Sequence, residues 1–377
     1  MASPALGQYV LRLTIDPRER HDDWLYKIHQ ALPPLLPKLT HLAFRGFPVV
    51  QPLFFVLSKR FAFVTHLELQ YMKAWSPRDT TRFLRGFTQL EELIIHCCNW
   101  DTKDMRPLYA GGTTIDPITI EMEVISTSTD SFGNGHAVLF DWFSRSQPGY
   151  SLKYLLLHFS DLPNTTTSDH LDDFVSQISE TVEYVQLWHD WNIMTHPRHD
   201  SEMMWIPPIA QCRKLKRFDM VPPGVVESLA LRYLKSLFLN LPTSLCIITL
   251  RFRIRPSSIF TPNYRAFWKA VDTAITSSKF PYLKTVELAW KEPVWEKNWV
   301  GRWGDICASD ADDALFNLVD RTGVFEDFIP KIVDRGILRF GPIHDPGKTY
   351  PASMLFPLSA KRTQTAWSDE LHSMKVY

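Results

Sequence analysis

The stretch Val64-Thr65-His66-Leu67-Glu68-Leu69-Gln70 carries apolar residues at 64, 67 and 69 with polar residues between the last two. Alternation at the end of such a stretch is the period of a β-strand with one face buried. The same pattern, Φ-x-x-Φ-x-Φ with Φ apolar, recurs as Val10-Leu13-Ile15, Leu39-Leu42-Phe44, Leu90-Leu93-Ile95, Ile115-Ile118-Ile120, Leu152-Leu155-Leu157, Val182-Val185-Leu187, Leu215-Phe218-Met220, Leu245-Ile248-Leu250 and Leu283-Val286-Leu288. With Val64-Leu67-Leu69 that makes ten copies, whose starts step by 29, 25, 26, 25, 37, 30, 33, 30 and 38 residues. In a chain that is 45% apolar, one triplet is cheap, but near-regular recurrence from end to end is not. The repeat therefore decides the architecture.

Between the strands the period changes. Ser168 precedes Leu171, Phe174, Val175 and Ile178, an apolar face at helical spacing behind an expected N-cap. Ser76-Pro77 and Thr261-Pro262 place a capping hydroxyl before a proline at the first helical position, followed by Phe83-Leu84-Phe87 and Phe267-Trp268-Val271-Ile275. Strand, helix and strand at this step is a right-handed crossover unit that yields parallel strands. A doubly wound sheet would need strands apolar on both faces, whereas His41, Glu68, Glu92, Gln186, Asp219 and Glu287 occupy the alternate positions. The expectation is an α/β fold: a leucine-rich-repeat-like horseshoe solenoid with one curved parallel sheet, helices on the convex side and a solvated inner face.

The stretches Tyr9-Val10-Leu11-Arg12-Leu13-Thr14-Ile15, Leu36-Pro37-Lys38-Leu39-Thr40-His41-Leu42, Phe61-Ala62-Phe63-Val64-Thr65-His66-Leu67-Glu68-Leu69 and Arg335-Gly336-Ile337-Leu338 resemble the fungal F-box/leucine-rich-repeat-like proteins. The likeness implies a repeat region that holds a protein substrate, beside an N-terminal F-box that docks onto a ubiquitin-ligase adaptor. Only Leu90-Leu93-Ile95-Cys98 carries the fuller repeat motif, with Cys98 at its Asn/Cys position. No helical segment of F-box length precedes the first strand signal near Val10, so adaptor docking is not expected through this chain alone.

Residues 1–340 are expected to form one degenerate solenoid with a C-terminal helical cap at about 310–340, and 341–377 an irregular tail. In the cap, Ala314-Leu315-Leu318-Val319 and Phe325-Phe328-Ile332-Val333 read as two short helices, followed by Gly336-Ile337-Leu338-Arg339-Phe340 as a closing strand. Trp295, Trp299 and Trp303, following Trp290, read as a helix face covering the apolar end of the array. The 41 basic and 41 acidic residues cancel, which removes any chain-wide drive toward nucleic acid or anionic membrane. No signal peptide or long apolar run is present, and the five cysteines form no CxxC pair, so a reduced, cytoplasmic or nuclear protein is expected.

Geometry then nominates a surface. Offsets two, four and six from each repeat start should face the inner side, in columns whose neighbours are about 5 Å apart. One outer column reads Arg12, His41, His66, Glu92, Pro117, Tyr154, Tyr184, Arg217, Ile247, Thr285; the other reads Asp16, Arg45, Gln70, His96, Glu121, His158, Trp188, Val221, Arg251, Ala289. The expected partner-binding residues are His41, His66, Glu68, Glu92, His96, Tyr154, His158, Tyr184, Trp188, Arg217 and Arg251, for a protein or peptide of unknown identity. A face covered by loops, and a scaffold with no defined ligand, are the competing readings. Trp188-His189-Asp190-Trp191 and His196-Pro197-Arg198-His199-Asp200 offer the ingredients of a hydrolase without a nucleophile elbow, and the glycine clusters match no phosphate loop. Neither catalysis nor a cofactor is expected; His41, His66 and His96 lack a clear further ligand for a metal.

Overall fold

The computed structural model describes residues 7–16, 32–47, 52–96, 98–100, 117, 119–124, 134–146, 152–159, 165–189, 206–221, 228–252, 264–290, 327–342 and 356–357. Its strands are β1 (Arg12–Ile15), β2 (His41–Arg45), β3 (His66–Gln70), β4 (Lys73–Trp75), β5 (Glu92–His96), β6 (Asn99–Trp100), β7 (Thr119–Val124), β8 (Tyr154–Phe159), β9 (Tyr184–His189), β10 (Arg217–Val221), β11 (Ile247–Phe252), β12 (Thr285–Trp290), β13 (Leu338–Pro342) and β14 (Phe356–Pro357). Eleven of them form one all-parallel sheet in the order β1-β2-β3-β5-β7-β8-β9-β10-β11-β12-β13, to which β14 adds an antiparallel edge; β4 and β6 pair separately. Sequential strands are thus spatial neighbours throughout, the arrangement of a repeat array and not of a doubly wound sheet.

Helices alternate with the strands: α1 (Pro52–Arg60), α2 (Pro77–Leu84), α3 (Asn134–Ser146), α4 (Thr165–Ile178), α5 (Ser228–Asn240), α6 (Arg265–Ile275) and α7 (Pro330–Asp334), with a 3-10 turn at Ile209–Gln211. Their apolar residues join a single core with the second and third positions of each strand triplet. Phe44 of β2 meets Phe83 of α2 edge to face at 5.4 Å, Phe252 of β11 lies 5.6 Å from Trp268 of α6, and Phe140 of α3 lies 5.6 Å from Phe174 of α4. Each such side chain withdrawn from water contributes about 1.5–3 kcal/mol.

Nine of the ten triplets fall on the observed register; Leu13, Leu42, Leu67 and Leu93 align, as do Leu155, Val185, Phe218, Ile248 and Val286. The exception is β7. Ile120 pairs with Leu93 and Met122 with Ile95, so this repeat starts at Pro117 and not at Ile115. Thr119, not Pro117, therefore stands in the outer column, and Glu121 moves to the central one. A slip of two residues keeps every side chain on its own face, so alternation alone could not detect it.

The repeats are joined at the strand starts by one backbone device. Among the described residues, at seven junctions the carbonyl one residue after the repeat start accepts two successive N–H groups of the next repeat: Leu11 from Thr40 and His41, Thr40 from Thr65 and His66, Thr65 from Glu91 and Glu92, Lys153 from Glu183 and Tyr184, Glu183 from Lys216 and Arg217, Lys216 from Cys246 and Ile247, Cys246 from Lys284 and Thr285. At the other end of the strands, Gly46 (φ 70°) and Tyr71 (φ 54°) are the same repeat position, and both donate to the carbonyl that ends the neighbouring strand, Gln70 and His96 respectively. Glycine suits this left-handed conformation; tyrosine is strained in it. Buried Cys98, at the Asn/Cys position, directs its thiol to Leu69 O at 3.5 Å and His96 O at 3.3 Å. It ties one repeat to the preceding one, as that position should.

Helix starts follow local chemistry. Ser76 caps α2, accepting from the Asp79 N–H at 3.0 Å and donating to its carboxylate at 2.8 Å, with Pro77 at the first helical position. Ser168 is not a cap: α4 begins at Thr165, so Ser168 lies inside it, although Leu171, Phe174, Val175 and Ile178 are buried as the spacing demands. α6 begins at Arg265 behind Tyr264, without a side-chain cap; Thr261 and Pro262 lie outside the described residues. The carboxylate of Asp272 on α6 accepts the Ile332 N–H at 2.9 Å and so caps α7 from its neighbour. β13 closes the parallel sheet where the Gly336–Phe340 pattern put a strand. Trp295, Trp299, Trp303, Ala314, Leu315, Leu318, Val319 and Phe325 lie outside the described residues. Among the described residues no helix is long and apolar enough to cross a membrane.

Candidate functional site on the polar face of the sheet

The face opposite the helices carries three columns set by the strand register. The first outer column runs Arg12, His41, His66, Glu92, Thr119, Tyr154, Tyr184, Arg217, Ile247, Thr285, and the central column includes Glu68, Ile94, Glu121, Leu156, Gln186, Asp219, Thr249 and Glu287. The second outer column includes Gln70 beside His96 on β3 and β5, and His158 beside Trp188 on β8 and β9. All eleven nominated residues lie in these columns, but in two different environments.

From β2 to β9 the face is partly open. The imidazoles of His41 and His66 stack with centroids 4.0 Å apart and planes 15° from parallel. Each ring is held by the threonine before it: Thr40 Oγ1 lies 2.8 Å from His41 Nδ1 and Thr65 Oγ1 2.7 Å from His66 Nδ1. Those hydroxyls also face the carbonyls of Leu11 at 3.2 Å and Thr40 at 3.4 Å. His66 Nε2 meets Glu92 at 3.3 Å and His96 Nε2 meets Glu121 at 2.9 Å. Glu68 receives Arg12 at 3.2 Å, lies 3.8 Å from Arg45 and accepts a hydrogen bond from Gln70. Burial, followed by the neighbouring ring of His66 and by Arg12, lowers the His41 pKa, and burial lowers that of His66. Burial and the nearby Glu121 carboxylate raise the Glu92 pKa. Further along, His158 stacks on Trp188 at 4.0 Å and 25°, both half-buried, and Tyr154 is exposed.

From β9 to β12 the same face is closed by its own side chains. The Asp219 carboxylate is 0% exposed, and receives Arg217 Nε at 2.9 Å, Arg251 Nε at 2.8 Å and the Tyr184 hydroxyl at 2.8 Å. Arg217 also donates to Glu287 at 2.8 Å and to Thr249 at 3.1 Å, while Thr249 donates to Glu287 at 3.0 Å. Arg251 reaches the Tyr184 oxygen at 3.1 Å. Two guanidiniums face two carboxylates, so the cluster is neutral as a whole. Burial alone would raise the Asp219 pKa, but Arg251 and Arg217 carry it below the usual carboxylate range. Burial and the Asp219 charge push the Tyr184 hydroxyl well above its ordinary value.

This half corrects the expectation that polar alternate positions mean a wet face. Asp219 and Glu287 mark the side without helices, yet both are buried and bonded. Tyr184 and Arg251 are buried with them, and Arg217 is spent on three internal partners. Of the nominated surface, His41, His66, Glu68, Glu92, His96, Tyr154, His158 and Trp188 retain exposed area, as does part of Arg217 despite its internal bonds. The network was missed because its members sit in different columns of separate repeats; reading Asp219, Thr249 and Glu287 as one column flanked by Arg217 and Arg251 would have disclosed it.

Among the described residues, no three His, Cys, Asp or Glu side chains group as metal ligands. Asp190, Trp191, His196, His199 and Asp200 lie outside the described residues. Cys98 and Cys212 are buried, and burial pushes the Cys212 thiol up to about 12, far from a nucleophile's range. No protein-family model and no curated protein matches the chain, so its architecture rests on the register and packing above.

Proposed function

We propose that the chain is a non-catalytic recognition module that takes a protein or peptide on the open part of its polar face, between β2 and β9. The observation that carries this reading is the arrangement around the His158–Trp188 stack: two half-buried rings pre-ordered on adjacent strands, with exposed Tyr154 at the far end of β8. Ordered aromatic side chains with polar tips lose little entropy on contact, and they dominate the energetics of protein interfaces. In its repeats the chain resembles the substrate-holding region of F-box-type ubiquitin-ligase receptors; on that reading the occupant is a protein destined for ubiquitin transfer.

The test compares the wild-type chain with a Tyr154→Ala/Trp188→Ala variant of equal thermal stability, each immobilised in turn. Proteins retained by the wild type and lost by the variant are expected, and the strongest is then titrated in purified form. Identical sets of retained proteins from both would defeat the proposal.

A further inference from the structure

We propose that the stacked His41–His66 pair, with Glu92 and the His96–Glu121 pair beside it, is a proton-operated switch that reverses the charge of the open face on mild acidification. The construction lies in the hydrogen bonds. Thr65 Oγ1 stands between His66 Nδ1 at 2.7 Å and the Thr40 carbonyl at 3.4 Å, and it has one proton to give. With the ring neutral, the hydroxyl donates to Nδ1 while Nε2–H points at Glu92, 3.3 Å away. With the ring protonated, Nδ1–H donates to the hydroxyl, which turns its own proton to the carbonyl. Both charge states are then fully bonded, and a hydroxyl rotation converts one to the other. Thr40, between His41 Nδ1 and the Leu11 carbonyl, repeats the device one strand away.

The stack sets the threshold. Two imidazolium rings with centroids 4.0 Å apart repel, so the pair resists its second proton and parts when it arrives. The surrounding charged groups come from every adjoining strand: Arg12 on β1, Arg45 on β2, Glu68 on β3, Glu91 before β5, Glu92 and His96 on β5, and Glu121 on β7. At neutral pH the carboxylates Glu68, Glu91, Glu92 and Glu121 outnumber Arg12 and Arg45; protons on His41, His66 and His96 would set five cations against those four carboxylates. The lowered pKa values of both stacked rings agree with this order of events.

The titration itself is independent of the recognition reading, so the two can fail separately. The experiment follows the imidazole resonances of the full chain from pH 8 to pH 4.5, assigned with His41→Gln and His66→Gln variants. Expected are midpoints for both rings below about 6.5, and a rise of the His41 midpoint in the His66→Gln chain. Glu92→Gln should lower both midpoints. As a readout independent of assignment, thermal stability between pH 7.5 and 5.5 should fall for the wild type and stay flatter in the His41→Gln/His66→Gln chain. Ordinary midpoints for both rings, or a His41 midpoint indifferent to His66, would overturn the switch.

Discussion

One sheet face, built from one repeat, carries two kinds of polar surface. Between β9 and β12, Asp219, Arg251, Thr249, Glu287 and Tyr184 are buried and, with the partly exposed Arg217, satisfy one another. Between β2 and β7, His66 pairs with Glu92 at 3.3 Å and His96 with Glu121 at 2.9 Å, and His41 stacks on His66, all while remaining half-exposed. Cross-strand neighbours about 5 Å apart impose the same geometry on both. The difference is stoichiometry: guanidiniums match carboxylates in the closed half, whereas in the open half Glu92 and Glu121 face imidazoles, and burial disfavours the charged form of His41 and His66. A matched set can be buried; an unmatched one must keep water within reach.

The sharpest way to break this contrast is Asp219→Ala. It takes a buried carboxylate from both guanidiniums, leaving Arg217 with Glu287, and should cost about 3–5 kcal/mol in urea unfolding, the range for opening a buried ion pair from one side. Next in size is coupling. A double-mutant cycle on Arg217 and Glu287 should give about 1–3 kcal/mol, against less than about 0.5 kcal/mol for the half-exposed His66–Glu92 pair. Equal couplings in the two halves would remove the distinction. Smaller again is Tyr71→Gly, which relieves left-handed strain of about 1–2 kcal/mol and restores part of it through unfolded-chain entropy of roughly 0.5–1 kcal/mol. A net gain near 0.5 kcal/mol in thermal or urea melts is expected.

The halves also separate by pH. Asp219 has a depressed folded pKa, so its contribution is present above the unfolded value of about 3.9 and disappears as pH falls through the folded one. His41 and His66 have depressed folded values too, but as bases: the unfolded chain binds more protons, and stability drains as pH falls below about 6.5. Glu92, raised in the fold, acts in the opposite sense; its contribution is present below about 4.3 and is lost as pH rises through its folded value. Glu92→Gln should therefore stabilise the chain slightly at pH 7, the smallest of these effects. An acid unfolding curve with two separable limbs, the upper one abolished by His41→Gln/His66→Gln, is the expected picture.

Much of the fold was legible because apolar spacing is a local signal and parallel neighbours repeat it. Leu13, Leu42 and Leu67 announce one another at fixed intervals, and Ser76-Pro77 announces α2. Ile115-Ile118-Ile120 misled because apolar residues stand at 118, 120 and 122, two apart in sequence, and alternation alone does not say which of them opens the pair. Ser168 misled because a serine ahead of an apolar face can also sit one turn inside its helix. The site was legible as columns and not as burial: whether Asp219 is wet depends on Arg217 and Arg251, the latter thirty-two residues away in sequence and adjacent only after the repeats stack.

The joint between repeats is made by a carbonyl of the main chain accepting two main-chain donors, and it asks nothing of any side chain. Successive repeat starts can therefore stand anywhere from 25 to 38 residues apart while the strands stay aligned. An array fastened this way should accept whole units spliced in at that carbonyl, and diversification by insertion would leave the inner wall undisturbed.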